Sequence, residues 1–181
     1  LNASTGTKVT NVASNNWRLN GFQLASANNN TITSSTAQSN GSMGIALSGS
    51  SNNIITDNTV QNNATYGIYM IGFDPTISAR NTISGNNISG NATGVYIYTD
   101  SVAGHNNVTG NIIHANTTSG VALNTANNNL ISGNNLYDNG GAGLNQAITL
   151  VGSSSNTVTS NLITDTAPAG GSAILLNSGS A

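Results

Sequence analysis

The sequence predicts an all-β solenoid, one chain wound into about six or seven coils of 23 to 28 residues with three short strands to a coil. Three observations predict it. Asparagines return as the anchors of a repeated unit at Asn30, Asn53, Asn81, Asn106, Asn129 and Asn156, and a period in the twenties held over six copies marks a stacked repeat. Aliphatic residues return in step with them: Ile32, Ile55, Ile83, Val108, Ile131 and Val158, then Ala37, Val60, Ile88, Ile113, Leu136 and Ile163. The runs between Asn and Gly turns are too short and too rich in β-branched residues for helices.

Along the chain, the first thirty residues are the least regular. The segment NGFQL at 20–24 resembles later strands and suggests one earlier coil, with residues 1–16 a degraded coil or a cap. A single domain over 1–181 is expected: an irregular start at 1–19, regular coils over 20–176 and a tail at 177–181. Trp17 is expected to cover the open end of the core.

From Asn30 onward each coil reads as two short strands, such as TIS and NIS, followed by a third that begins at Gly44, Gly67, Gly94 or Gly120. Alternation points Ile45, Ile68, Val95 and Val121 inward, with Leu47, Met70, Ile97 and Leu123. It points Ala46, Tyr69, Tyr96 and Ala122 outward. Two further columns follow the anchors: Ser35, Asn58, Asn86, Asn111, Asn134 and Asn161, then Asn40, Asn63, Asn91, Asn116, Asn139 and Thr166. Asn tolerates the left-handed backbone that a corner needs, and its amide can bond the same position one coil along, so these columns are expected to be hydrogen-bonded ladders. Extra residues at 71–79, 100–104, 144–150 and 167–176 read as loops, where a solenoid usually carries its binding function.

Composition excludes several classes. Charged residues are 4% of the chain against roughly 25% in ordinary soluble domains, and the only cations are Lys8, Arg18 and Arg80. Three scattered cations cannot build a nucleic-acid surface or a polybasic membrane patch. No run of 18 apolar residues suggests membrane insertion. Without cysteine, disulfides and thiolate metal sites are out.

With the Asn columns, aliphatic columns and Gly-led third strands aligned, the sequence resembles the right-handed parallel β-helix superfamily, and within it looks closest to NosD-like proteins and surface-protein β-helix repeats. The resemblance spans roughly residues 20–176 and implies a single-stranded, right-handed parallel β-helix with Asn ladders at its turns. It does not choose a function, since the same helix carries lyases, epimerases, tailspikes, adhesins and inert scaffolds.

Candidate sites are few. Asp138 and Asp165 fall at the same offset on adjacent coils and could share a Ca²⁺, although turn Asp residues doing the work of Asn explain them as well. Arg80 and His105 precede successive anchors, with Asp74 and Asp100 in nearby loops, a small charged corner that reads as a surface ion pair. His105, His114, Met43 and Met70 do not assemble a copper site, because Met43 and His114 fall on different coils and Met70 points inward. No catalytic residue and no cofactor is assigned. Tyr69, Ile71, Phe73, Tyr96 and Tyr98 form an outward surface for sugar rings or another subunit, unless loop 71–79 folds over it. Asn2, Asn29 and Asn87 are the sequons best placed for glycosylation. The hydroxyl column from Thr33 to Thr159 offers a thin case for ice binding.

On this basis the expected function is structural: an extracellular, cell-surface protein with sites for glycosylation that stacks on copies of itself into a filament, sheath or surface layer, with no enzymatic activity. Low charge favours association, and the apolar AILLN near the C-terminus leaves an open edge. The alternative is a carbohydrate-binding or polysaccharide-processing module, with glycans as partners, and the further alternative is an ice-binding protein.

Overall fold

Three-residue strands with one inward aliphatic each cannot bury that residue alone, but stacked at a rise of ~4.8 Å they bury it against the coil above and below. The computed structural model, which describes residues 1–99, 104–141, 146–166 and 171–177, is built in this way. Among these residues every regular element is a strand, and the strands form three parallel sheets of seven, wound as a right-handed β-helix. The fourth coil is typical, with Thr82–Ser84 in the first sheet, Asn87–Ser89 in the second and Thr93–Thr99 in the third. Register is kept without slippage: Ile55, Ile83, Val108 and Ile131 are direct neighbours in the first sheet, and Val60, Ile88, Ile113 and Leu136 in the second.

The inward columns of all three sheets meet in one continuous core. Ile45, Leu47, Ile68, Met70, Val95, Ile97, Val121 and Leu123 are fully buried, each worth about 1.5–3 kcal/mol of transfer energy. The Gly that opens each third strand follows from the tightness of this stack. A Cβ on Gly94 would lie 2.6 Å from the Gly120 carbonyl oxygen and 2.7 Å from the Ile113 side chain.

Asn ladders run up all three corners. In the anchor column the Asn53 side-chain oxygen accepts from both the backbone N–H and the side-chain amide of Asn30, at 2.9 and 3.2 Å, and Asn81 does the same for Asn53. The columns through Asn86 and Asn91 repeat the pattern. These amides are buried, and each satisfies backbone groups that a corner would otherwise strand away from water.

Two expectations need correction. A ladder Asn does not itself turn the corner: the left-handed conformation belongs to the residue just before it. Asn29, Asn52, Arg80, His105 and Asn128 precede anchors and have φ between 45° and 58°, while Gly85, Gly110 and Gly133 do the same before the next column. Holding the amide inward and reversing the backbone are incompatible tasks for one residue, so adjacent residues divide them. The first coil is also regular, with Lys8–Thr10 and Ala13–Asn15 in register with Thr31–Thr33 and Thr36–Gln38. Thr7, Val12 and Trp17 stand in the ladder columns, and each backbone N–H donates to Asn30, Ser35 or Asn40. Trp17 therefore acts through its backbone; the residue is 61% exposed and does not cover the core.

The loop at 71–79 leaves the third strand after Gly72 and turns toward the first corner, where Pro75, Thr76 and Ile77 share a hollow with Asn28, Asn29 and Asn52. Of its residues, Phe73 keeps a ring contact with Tyr98, while 75–77 line that hollow. Most of loop 100–104, residues 142–145 and 167–170 of the other loops, and tail residues 178–181 lie outside the described residues.

Candidate functional site

The third sheet is the widest face because its strands lengthen in the middle of the helix, to Tyr66–Gly72 and Thr93–Thr99. Alternation then puts every second side chain of these strands outside. Tyr69 sits beside Tyr96, and Ile71 beside Tyr98, in direct register. Tyr66, one residue before the Gly, joins them: its ring centroid is 5.0 Å from Tyr69 and 4.8 Å from Tyr96, and Tyr69 lies 5.8 Å from Tyr96 at an interplanar angle of 13°. Phe73 packs edge-on against Tyr98 at 5.5 Å. The predicted surface of Tyr69, Ile71, Phe73, Tyr96 and Tyr98 is thus brought together.

On the C-terminal side of this stack the outward residues become small, and the surface drops. A groove of about 400 Å³ opens there, across four successive coils, with Tyr66 and Tyr96 as its wall. Its floor is Ala122, Leu123 and Thr149, and its polar groups are hydroxyls and amides. At ~4.8 Å per coil the groove runs about 14 Å along the helix axis. The Asn124 side-chain amide donates to the Tyr96 hydroxyl at 3.2 Å, and Thr149 donates to the Gln146 side-chain oxygen at 2.8 Å. Burial, and then the neighbouring Tyr96, raises the Tyr66 phenol above its ordinary value of 10.0. Tyr69 is raised as well, by burial first and then by Tyr66, Tyr96 and Tyr98. Both are therefore protonated donors at neutral pH. A cleft of aromatic rings and neutral donors can hold a ring-shaped, hydroxyl-rich ligand by stacking and by hydrogen bonds.

The other predicted site residues lie elsewhere. The Asp138 carboxylate accepts from the Thr166 backbone N–H and hydroxyl, both at 2.8 Å, and those two bonds are the main reason it is held below the usual carboxylate range. It occupies the left-handed position before Asn139, at φ 52°. Asp165 is exposed, and among the described residues no three His, Cys, Asp or Glu side chains gather. His114 stacks on Tyr137 of the next coil at 4.6 Å on the second sheet, and burial lowers its imidazole below 6.5 against the pull of Asp138. Met70 is sealed in the core. Asn2, Asn29 and Asn87 are exposed, whereas the sequon residues Asn40, Asn63, Asn91 and Asn116 are buried in a ladder.

Sequence reasoning missed Tyr66 and the whole floor. Starting the third strand at Gly67 hid Tyr66, although its spacing of three from Tyr69 was a usable signal. The floor arises only when Ala122 and Thr149 are stacked in register, across a loop of altered length.

Comparison with known proteins gives a family model and several solved structures. The family model described as periplasmic copper-binding protein (NosD) matches residues 1–141 and, in a second register, 78–181. No curated protein sequence matches the chain. Among solved structures, a double mutant of the periplasmic alginate epimerase AlgG superposes with a TM-score of 0.68 at 24% identity, over 86% of this chain and 35% of AlgG. A single mutant of AlgG gives 0.64 at 26% identity, over 78% of this chain and 32% of that one. The A-module of the mannuronan C-5 epimerase AlgE4 of Azotobacter vinelandii gives 0.70 at 16% identity, over 96% of this chain and 57% of the module. The chain thus spans about a third of AlgG.

These findings overturn two expectations, the self-assembling filament or sheath subunit and the exclusion of enzymatic activity. The structures that superpose on the chain are polysaccharide epimerases by name. The filament reading rested on apolar terminal coils and low charge. The matched epimerases are longer than this chain, and neither of those two features points to a partner copy by itself. The outward aromatic groove, by contrast, has no task in end-to-end stacking.

Proposed function

The chain belongs to the NosD family of periplasmic β-helix proteins, which sets it outside the cytoplasm, and from that premise we propose that it is a polysaccharide-processing module. One observation carries the reading: the third-sheet groove, walled by Tyr66 and Tyr96 and floored by small and hydroxylated residues over four coils. Its length along the helix axis suits an extended chain of sugar rings rather than a compact ligand. The 26% identity to an AlgG structure supports a polysaccharide as the ligand. A sugar ring would lie on the tyrosine faces, and Asn124 and Gln146 would orient its hydroxyls. Asn124 already donates to the Tyr96 oxygen, which leaves the Tyr96 hydrogen for the sugar.

Copper, which the family's description names, does not fit the residues present. Cysteine is absent, Met70 is fully buried, and the His114 ring is stacked on Tyr137. His105 lies on a different corner, at the left-handed position before Asn106.

The test is binding to a panel of polysaccharides by affinity electrophoresis, with Tyr96→Ala as the control and product analysis by NMR after prolonged incubation. Wild type should be retarded by at least one polymer, and Tyr96→Ala should weaken that interaction about tenfold, or ~1.4 kcal/mol. Equal retardation of both proteins would refute the groove as the site.

A further inference from the structure

We propose that the groove accepts uncharged polysaccharide chains and discriminates against polyuronates; this rests on the groove being the sugar site. Among the described residues, no Asp, Glu, His, Lys or Arg lines it. Its donors and acceptors are the hydroxyls of Thr65, Thr93, Thr118, Ser119 and Thr149, the amides of Asn124 and Gln146, and the phenols of Tyr66 and Tyr96. A polyuronate brings one carboxylate for each sugar ring. A carboxylate moved from water into such a groove needs a cation or several charge-assisted bonds, and otherwise loses more hydration than it regains.

No cation is at hand. Lys8, Arg18 and Arg80 are the only three in the chain, and none lines the groove. Lys8 stands on the first sheet of the first coil, two coils before the groove begins. Arg80 occupies the left-handed corner position before Asn81. The rest of the chain cannot supply one, because residues 81–181 contain no Lys or Arg at all, including the segments outside the described residues. A bridging divalent ion is not provided for either, since among the described residues no acidic cluster exists to hold it. The net charge of −2 adds weak repulsion of a polyanion. What the groove does offer, stacked rings and neutral donors, suits the apolar faces and hydroxyl edges of neutral sugars.

The deciding experiment compares one backbone in two charge states. Alginate, carboxyl-reduced alginate and a neutral mannan and glucan series are titrated into the intact chain and into Tyr96→Ala, at low and at physiological salt. Binding should appear with the carboxyl-reduced polymer or a neutral member of the series, at least tenfold tighter than with alginate and insensitive to salt. Alginate binding as tight as that of its reduced form, and lost in Tyr96→Ala, would overturn the selectivity while leaving the groove as the sugar site. Absence of binding to every polymer would remove the groove reading and the selectivity with it.

Discussion

Replacing Asn86 by Ala removes one rung from the middle of a buried ladder. The Asn86 oxygen accepts from the Asn58 backbone N–H and side-chain amide, each at 3.0 Å. Its amide donates to the Ile55 carbonyl at 2.9 Å, the Ser84 carbonyl at 3.1 Å and the Asn111 oxygen at 3.0 Å. A typical hydrogen bond is worth about 1 kcal/mol net, but a buried donor left without a partner costs about 1–3 kcal/mol. Here the Asn58 N–H loses its acceptor at a position with 1% exposure, and the Ile55 carbonyl and Asn111 oxygen each lose a donor. The sum is about 3–5 kcal/mol, as large as truncating the neighbouring core residue Ile88 to Ala. The exposed Asn87, next in sequence, is the control, and its change to Ala should stay within about 0.5 kcal/mol. Urea titration followed by far-UV circular dichroism reads both, provided the slope of the transition is unchanged. A loss below about 1 kcal/mol for Asn86→Ala would show that water or backbone relaxation replaces the rung, and would refute the ladder as a principal source of stability.

Three further outcomes are expected. Gly94→Ala should destabilise by about 1–3 kcal/mol, because its Cβ meets the Gly120 carbonyl, whereas Gly110→Ala, with open space but φ 63°, should cost only the left-handed strain of about 1–2 kcal/mol and Gly110→Asn less; thermal melts separate the three. Trp17→Ala should leave the urea midpoint nearly unchanged, since the residue is mostly exposed and the backbone bond to Asn40 remains. Burial lowers the folded His114 imidazole below 6.5, so its contribution is complete above pH 6.5 and is lost as pH falls and the unfolded chain takes up a proton first. His114→Asn should flatten stability between about pH 7 and 5, and an unchanged slope would assign the pH response to other groups.

The Asn and aliphatic columns were legible because a coil residue sees the same neighbours in every turn, so Ile55, Ile83 and Val108 obey one constraint. The first coil was legible only in its third strand, at NGFQL, because Thr7, Val12 and Trp17 offer the ladder only a backbone N–H, which carries no sequence signal. The split between ladder residue and left-handed residue was also hidden. Asn serves in both roles, as Asn29 and Asn30 do side by side. Tyr69 and Tyr96 could be read as one outward column from strand alternation. The groove beside them could not, since its depth comes from the contrast between tyrosines on two coils and Ala122 and Thr149 on the next two.

A crystal structure of the chain soaked with the neutral oligosaccharide that binds best tests the central claim most directly. Sugar rings should lie against Tyr66 and Tyr96 along the helix axis, with a sugar hydroxyl within hydrogen-bond distance of Asn124. Density for the oligosaccharide on the first or second sheet, with the third-sheet groove empty, would contradict it.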